Sequence, residues 1–395
     1  MPSPILYVHS SNELYGSDIV LLELVRRLDR NRFLPLVVTP TDITYEGLLG
    51  QALQDAGVRH QALDIPVLRR RYLSPLGFPS FVRRVQAAPC MLQPLMTAEH
   101  VVLVHSNTSA VWGGALAARR AGLPHLWHVH EIITRPRLIR RLIAWSVMRW
   151  SDQVVAISGA VADHLLADEP RLAAKLTVIH DAVDTERFYP GVEGSTVRAG
   201  WKVDPESVLA GVVGRISGWK GQHIFFRALA RALDLAPHLR GRLRGVVVGD
   251  VVPGEDWRRR ELEGLTQTLG IADNVIWAGY RRDTPEVMAA LDVLVMPSIE
   301  PEPFGMAILE AMACGRPVLA TAHGGPLETV VDGATGFLVP PGDPELLAQA
   351  LVRLAADSGL RAQLGQQARN HVCRHFGFAS HVGAFQNLYD ALLGL

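Results

Sequence analysis

The stretch DVLVMPSIEPEPFGMAILEAMACGRPVLAT, residues 292–321, reads as a strand, a loop, a helix and a second strand. Its strand runs, VLVM and PVLA, are apolar at every position instead of alternating, which suits strands buried on both faces of a parallel sheet. The run between them has helical spacing, and its entry at Phe304, Gly305 and Met306 is predicted to form the first helical turn. A strand, a crossover helix and a parallel strand make the repeating unit of a doubly wound α/β domain.

The same grammar extends in both directions. Downstream of residue 207 the strand-like runs are VLAGVVGR, LRGVVVG, NVIWAG, DVLVMPS, RPVLAT and GFLVP, each followed by helix-like sequence. In the first half they are ILYVH (5–9), LPLVV (34–38), VVLVH (101–105), LWHVH (126–130) and QVVAIS (153–158). Between the halves lies a polar, Gly-rich stretch, YPGVEGSTVRAGWKVDPES (189–207). The predicted organisation is an α/β domain over 1–188, a linker over 189–206, a second α/β domain over 207–372, and a terminal helical segment, 373–395, that crosses back to the first domain. A chain of 395 residues exceeds what one core usually serves, in keeping with two.

Composition removes several function classes. Lys plus Arg and Asp plus Glu both number 39, so no global positive field favours nucleic acid. Three widely separated cysteines form neither a disulfide framework nor a metal motif. The start, MPSPILYVHS, goes straight into a strand-like run and not a signal peptide, and no run approaches the roughly 20 apolar residues of a membrane span. A reducing cytoplasm is the expected location.

In open α/β sheets ligands bind beyond the carboxyl ends of the strands, which directs attention to the loops there. The turn entering this helix offers unpaired N–H groups and the positive end of a helix dipole, with Gly305 permitting close approach of a phosphate. Glu302 stands before the turn and Glu310 eight residues later, a separation of roughly 12 Å on a continuous helix and the scale of a nucleotide sugar from ribose to hexose. Taken singly, these glutamates would read as a helix cap and a solvated side chain. In VVGRISGWKGQ (212–222) a strand runs into a Gly-punctuated loop carrying Arg215 and Lys220, two cations suited to a diphosphate leaving group.

Together, GRISGWKGQ (214–222), NVIWAGY (274–280), the Glu302–Glu310 pair around FGMAILEAMACG, and HGGPLETV followed by DGATGFLVPPGD (323–343) resemble the retaining GT-B glycosyltransferases of glycosyltransferase family 4 in order and spacing. The resemblance implies two Rossmann-like domains facing a central cleft and a nucleotide diphosphate sugar as donor. It implies Arg215 and Lys220 on the diphosphate, Glu310 on the ribose and Glu302 near the donor sugar. The backbone of Phe304, Gly305 and Met306 completes the phosphate cradle, and the main chain from Ala278 through Tyr280 to Arg281 borders the nucleobase. Gly324, Gly325 and Glu328 line the same cleft or serve as a turn and helix start.

In the first half, HSSNELYGSD (9–18) stands where the family usually carries a Gly-Gly pair, a small residue and Glu; here Gly16 is kept and Asp18 replaces the Glu. Gly16 is expected to let backbone approach the donor diphosphate or acceptor. WHVHE (127–131) resembles the family's strand-end motif, which assigns His130 to the donor sugar. Tyr15 and the HSNTS residues Ser106, Asn107 and Thr108 are candidate acceptor-side groups, with helix capping the other reading. VIHDAVDTERF (178–188) resembles the segment leading into the linker, with Asp181 where Asn is usual.

The implied reaction moves a hexosyl unit from a UDP- or GDP-sugar to a glycan, lipid-linked or small-molecule acceptor with retention. No metal and no cofactor beyond the substrate are expected, since no acidic metal motif stands out. A GT-B epimerase or phosphorylase and a non-catalytic nucleotide-sugar-binding subunit are the alternatives. RPRLIRRLIAWSVMRW (135–150) is a basic, apolar-rich helix suited either to peripheral contact with an inner membrane face or to an ordinary domain surface.

Overall fold

The computed structural model describes residues 1–395 apart from Pro75 and Pro253. The chain forms two compact units, one of Met1–Asp181 with Phe378–Leu395, the other of Ala182–Gly377.

Among the described residues the first unit carries seven strands: β1 (Ser3–His9), β2 (Phe33–Pro40), β3 (Arg59–Leu63), β4 (Leu103–Asn107), β5 (His125–Val129), β6 (Gln153–Ala156) and β7 (Leu176–Val178). They lie in the order β3-β2-β1-β4-β5-β6-β7, and every pairing is parallel. Successive side chains of β1 feed different cores, as the two-residue strand period requires. Ile5 and Tyr7 pack with Leu21, Leu24, Phe33 and Phe385, while Leu6 and Val8 pack with Val38, Leu92, Met96 and Val104. Both faces of the sheet are therefore covered, which explains why its central strands are apolar throughout. The edge strands β3 and β7 were not expected from sequence: RHQAL and LTV are largely exposed and lack the continuous apolar signal.

The terminal helix, Phe378–Leu393, is part of this unit. Tyr389 is fully buried there, accepting the Tyr7 hydroxyl at 2.9 Å and meeting Nδ1 of His105 at 2.9 Å. Phe385 stacks on the His105 ring with centroids 5.5 Å apart.

The second unit carries β8 (Val208–Val213), β9 (Leu243–Val248), β10 (Val275–Gly279), β11 (Val293–Met296), β12 (Val318–Thr321) and β13 (Gly336–Val339). Their order is β10-β9-β8-β11-β12-β13, again wholly parallel. The helix Gln222–Leu235 turns Phe225, Phe226, Leu229, Ala232 and Leu233 inward, a 3.6-residue stripe that seats it on Val208, Ala210 and Val212. Residues 189–206, expected as a linker, are folded into this unit: Arg198 donates to Asp292 Oδ2 at 3.0 Å and to the Ala290 carbonyl at 2.9 Å. A Cβ added to Gly194 would come within 2.5 Å of the Ala290 nitrogen, so this backbone lies directly on the 284–290 helix.

Each sheet reverses its strand order at one place, between β1 and β4 and between β8 and β11. These switch points open crevices at the strand ends, and in the second unit Lys220 and Glu302 lie in the loops that follow the two strands flanking the switch, β8 and β11.

Candidate functional site

In the second unit the loops after β8 and β11 are held against each other. Gly221 sits at φ +72°, and a Cβ there would stand 1.9 Å from the Pro297 carbonyl oxygen, so both the conformation and the close approach require glycine. Ile299 N–H donates to the Trp219 carbonyl at 2.8 Å, and Ile216 N–H to the Asp250 carbonyl at 3.0 Å, which brings in the loop after β9.

This framework places Lys220 on Glu302. The ammonium donates to Glu302 Oε1 at 2.9 Å and Oε2 at 2.7 Å, and also lies over the Trp219 ring at 4.3 Å. Ser298 donates to Glu302 Oε2 at 3.0 Å, and its own carbonyl accepts Thr321 Oγ1 at 2.7 Å. Glu302 is only 5% exposed, so its charge is balanced by this pairing instead of by water. Its backbone is fixed too, since Glu302 N–H donates to the His323 carbonyl at 3.2 Å and Gly325 N–H to the Glu302 carbonyl at 2.7 Å. Side chains at Gly324 and Gly325 would collide with the Glu302 and Phe304 backbones at 2.3 and 2.4 Å, which gives both glycines a structural role.

The expected first turn is shifted. The helix starts at Met306 and runs to Ala313, with Gly305 as its cap at φ +94°. Phe304 lies outside the helix and is buried against Phe376, ring centroids 5.9 Å apart. Glu302 thus precedes the helix by four residues, and the helical rise assumed between the two glutamates does not apply. The N–H groups of Met306 and Ala307 have no intrahelical acceptor, as at any helix start, while Ile308 N–H returns to the Gly305 carbonyl at 2.8 Å. Glu310 lies one turn further on the same helix, and burial pushes its carboxyl up to about 7, with the Arg187 guanidinium acting in the opposite direction. Arg215 is exposed on the loop after β8, and its carbonyl accepts Gln222 Nε2 at 3.0 Å. Ala278 lies in β10 and Tyr280 follows it, half exposed.

In the first unit, Gly16 is exposed at the start of the helix Gly16–Arg27 and Tyr15 is its half-exposed cap. His130 is buried one residue beyond β5, with Nε2 at 3.1 Å from Asn107 Oδ1 and 3.3 Å from His128 Nδ1. Burial, reinforced by His9 and His381, lowers its imidazole to about 3. Ser106, Asn107 and Thr108 are all buried: Ser106 Oγ is 2.9 Å from His125 Nε2, and Thr108 N–H donates to the His128 carbonyl at 2.8 Å. Among the described residues, His128, His130 and Asp181 form the group whose potential metal-ligating atoms come together, within 4.8 Å of one another. Asp181 is buried with Oδ1 unpartnered, and burial raises its carboxyl to about 8.

Ser298 had no motif to announce it, and although His9, Asp18 and Asn107 stand in the HSSNELYGSD and HSNTS segments, nothing in those segments announced their contacts with one another. Ser298 ends the DVLVMPS run and His9 ends ILYVH, so their strand-end position was the available signal.

Two parallel Rossmann-type units in one chain, with the helix-start turn and the Lys220–Glu302 pair at the switch point of the second, define a GT-B protein. Residues 15–187 match the family profile described as Glycosyltransferase Family 4, and residues 195–371 that described as Glycosyl transferases group 1. A D-inositol 3-phosphate glycosyltransferase of Salinispora arenicola is 31% identical over 412 aligned positions, covering 97% of this chain and 89% of that protein. The protein of the same name from Streptomyces avermitilis is 32% identical over 293 residues, 71% of this chain, and the match spans 63% of that relative's length. The crystal structure of Anabaena HepE in complex with UDP and glucose matches with a TM-score of 0.82 at 27% identity, over 100% of both chains. The chain belongs to glycosyltransferase family 4.

Proposed function

We propose that this chain transfers a hexosyl unit from a nucleotide diphosphate sugar to an acceptor hydroxyl with retention of anomeric configuration. The observation that carries the reading is the Lys220–Glu302 pair beside the open helix start at Gly305, with Glu310 one turn beyond. The UDP and glucose bound by HepE favour UDP-sugars over GDP-sugars as the donor. The name of the relatives makes an inositol phosphate the first acceptor to test, ahead of glycans and lipid-linked sugars.

In this mechanism the N–H groups of Met306 and Ala307, with Arg215 and Lys220, hold the diphosphate. Their positive charge offsets the charge that develops as the bond from the sugar carbon to phosphate oxygen breaks. The acceptor oxygen bonds that carbon on the same face, and its proton passes to the leaving phosphate oxygen. Glu310 accepts ribose hydroxyls, Glu302 and His130 contact the sugar, and catalysis rests on positioning and electrostatics. The cations take the part a divalent ion plays elsewhere, so turnover is expected to persist in chelator; activation by added divalent ion that chelator abolishes would contradict this step.

The test is thermal stabilisation by UDP, GDP, ADP and their sugar conjugates, because a ligand of the native state raises apparent stability by mass action. A UDP-selective shift that Glu310→Ala removes is expected; no shift from any nucleotide would sink the donor reading. Donor hydrolysis then separates an enzyme from a binding subunit, and sugar transfer separates a transferase from an epimerase.

Peripheral membrane contact belongs to the same proposal. The helix Arg137–Trp150 exposes Arg137, Leu138, Arg141, Trp145 and Arg149. Flotation with anionic vesicles is expected at low salt and release at high salt. Failure to float at low salt would remove the idea.

A further inference from the structure

At the switch point of the first unit, four polar side chains form a buried chain. His9 ends β1, Asn107 ends β4, and the two are register partners across the sheet. Asp18 comes from the first turn of the helix Gly16–Arg27, and His130 follows β5. None of the four is more than 8% exposed. Asp18 Oδ1 lies 2.5 Å from His9 Nε2, His9 Nδ1 lies 3.0 Å from Asn107 Nδ2, and Asn107 Oδ1 lies 3.1 Å from His130 Nε2. His9 Nδ1 also lies 3.2 Å from the Asn107 carbonyl.

The middle member has unlike ends. A carboxamide presents a donor on one side and an acceptor on the other, and it cannot satisfy two neighbours of the same kind. Whichever end faces His9 Nδ1 therefore determines which Asn107 group His130 Nε2 meets, beside its second neighbour His128 Nδ1 at 3.3 Å, and the proton on His9 is in turn governed by its bond to Asp18. We propose that Asp18, His9 and Asn107 are positioning residues that fix which ring nitrogen of His130 carries the proton. Nδ1 of His130 makes no hydrogen bond among the described residues and lies 3.8 Å from Asp181 Oδ2, so it is the nitrogen left uncommitted by the relay. Asp18 also accepts the Tyr15 N–H at 2.8 Å and the Ser11 hydroxyl at 3.3 Å. The relay thereby ties the 11–18 loop, which carries Gly16, to the imidazole. This inference rests on the reading of His130 as the residue that contacts the donor sugar.

The test uses the full chain and UDP-glucose, with turnover followed as UDP release. Asp18→Asn is expected to lower kcat on the order of tenfold while UDP affinity stays within about twofold, and to add no further loss when combined with His130→Ala. A structural role alone would give additive losses. Side-chain NMR of ¹⁵N-histidine protein supplies the second readout. The His130 signals, assigned by their disappearance in His130→Ala, are expected to report one ring tautomer in the parent chain and a changed population in Asp18→Asn and Asn107→Leu. Unchanged His130 signals in both variants, or additive losses in the cycle, overturn the relay. Should Asp18→Asn fail to fold, His9→Gln takes its place in both arms. Full turnover by His130→Ala would defeat the reading of His130 in the reaction, and the NMR arm would still decide the relay.

Discussion

Replacing Lys220 by alanine is expected to lower UDP-sugar turnover by about 10² to 10³-fold, the range seen when one preorganised donor to a developing oxyanion is removed. Lys220 reaches both carboxylate oxygens of Glu302 and stands on the loop beside the helix start, so the substitution removes the diphosphate contact proposed for it and leaves a buried acid unpaired. Leaving one member of a buried pair uncompensated costs about 3 to 5 kcal/mol, and a lower melting temperature should accompany the lost activity. The two effects separate in the double variant. Lys220→Ala with Glu302→Gln restores much of the melting temperature, because no lone charge stays buried, and restores none of the turnover. Recovery of turnover in the double variant would mean that Lys220 serves only to neutralise Glu302.

Glu310 gives the second large effect. A carboxylate accepting ribose hydroxyls must be ionised, and burial holds this one at about 7, above its ordinary value of 4.5. UDP affinity should therefore weaken as pH falls below about 7, approaching roughly tenfold per unit where only the ionised form binds. Glu310→Gln removes that slope and weakens binding at pH 8 by on the order of tenfold to a hundredfold, the cost of hydrogen bonds to a charged group. Stability moves with the opposite sense. The native state holds its proton more tightly than the unfolded chain, so this group's contribution to stability falls as pH rises from about 4.5 through about 7. Melting temperatures of the parent chain and Glu310→Gln should converge at low pH and separate in favour of the variant above pH 7. Titration calorimetry of UDP and thermal melts across pH 5 to 8 check both slopes.

The strands of both central sheets were legible because a strand covered on two faces must be apolar at every position, as VLVM of β11 and ILYV of β1 are. β3 and β7 were not, because RHQAL and LTV are largely exposed and carry no such run. That Lys220, Glu302 and Gly305 lie in strand-end loops of one sheet was legible, since each follows a strand-like run and such loops converge in this topology. The form of the Lys220–Glu302 pair, with Ser298 beneath it, was not, because it depends on three loops that meet only when the sheet is assembled. The contact between His9 and Asn107, at the middle of the proposed relay, joins residues far apart in the chain through register, and no local pattern records register between β1 and β4. Residues 189–206 depart from expectation for a different reason: their polar, Gly-rich composition suits a linker, but Gly194 lies directly against the Ala290 backbone.

The most direct test of the proposed chemistry is UDP release from UDP-glucose in chelator, comparing the parent chain with Lys220→Ala. Measurable release by the parent and a loss of about two orders of magnitude or more in the variant are expected. Equal release by both chains, or none by a parent chain that UDP stabilises, would contradict the proposed chemistry.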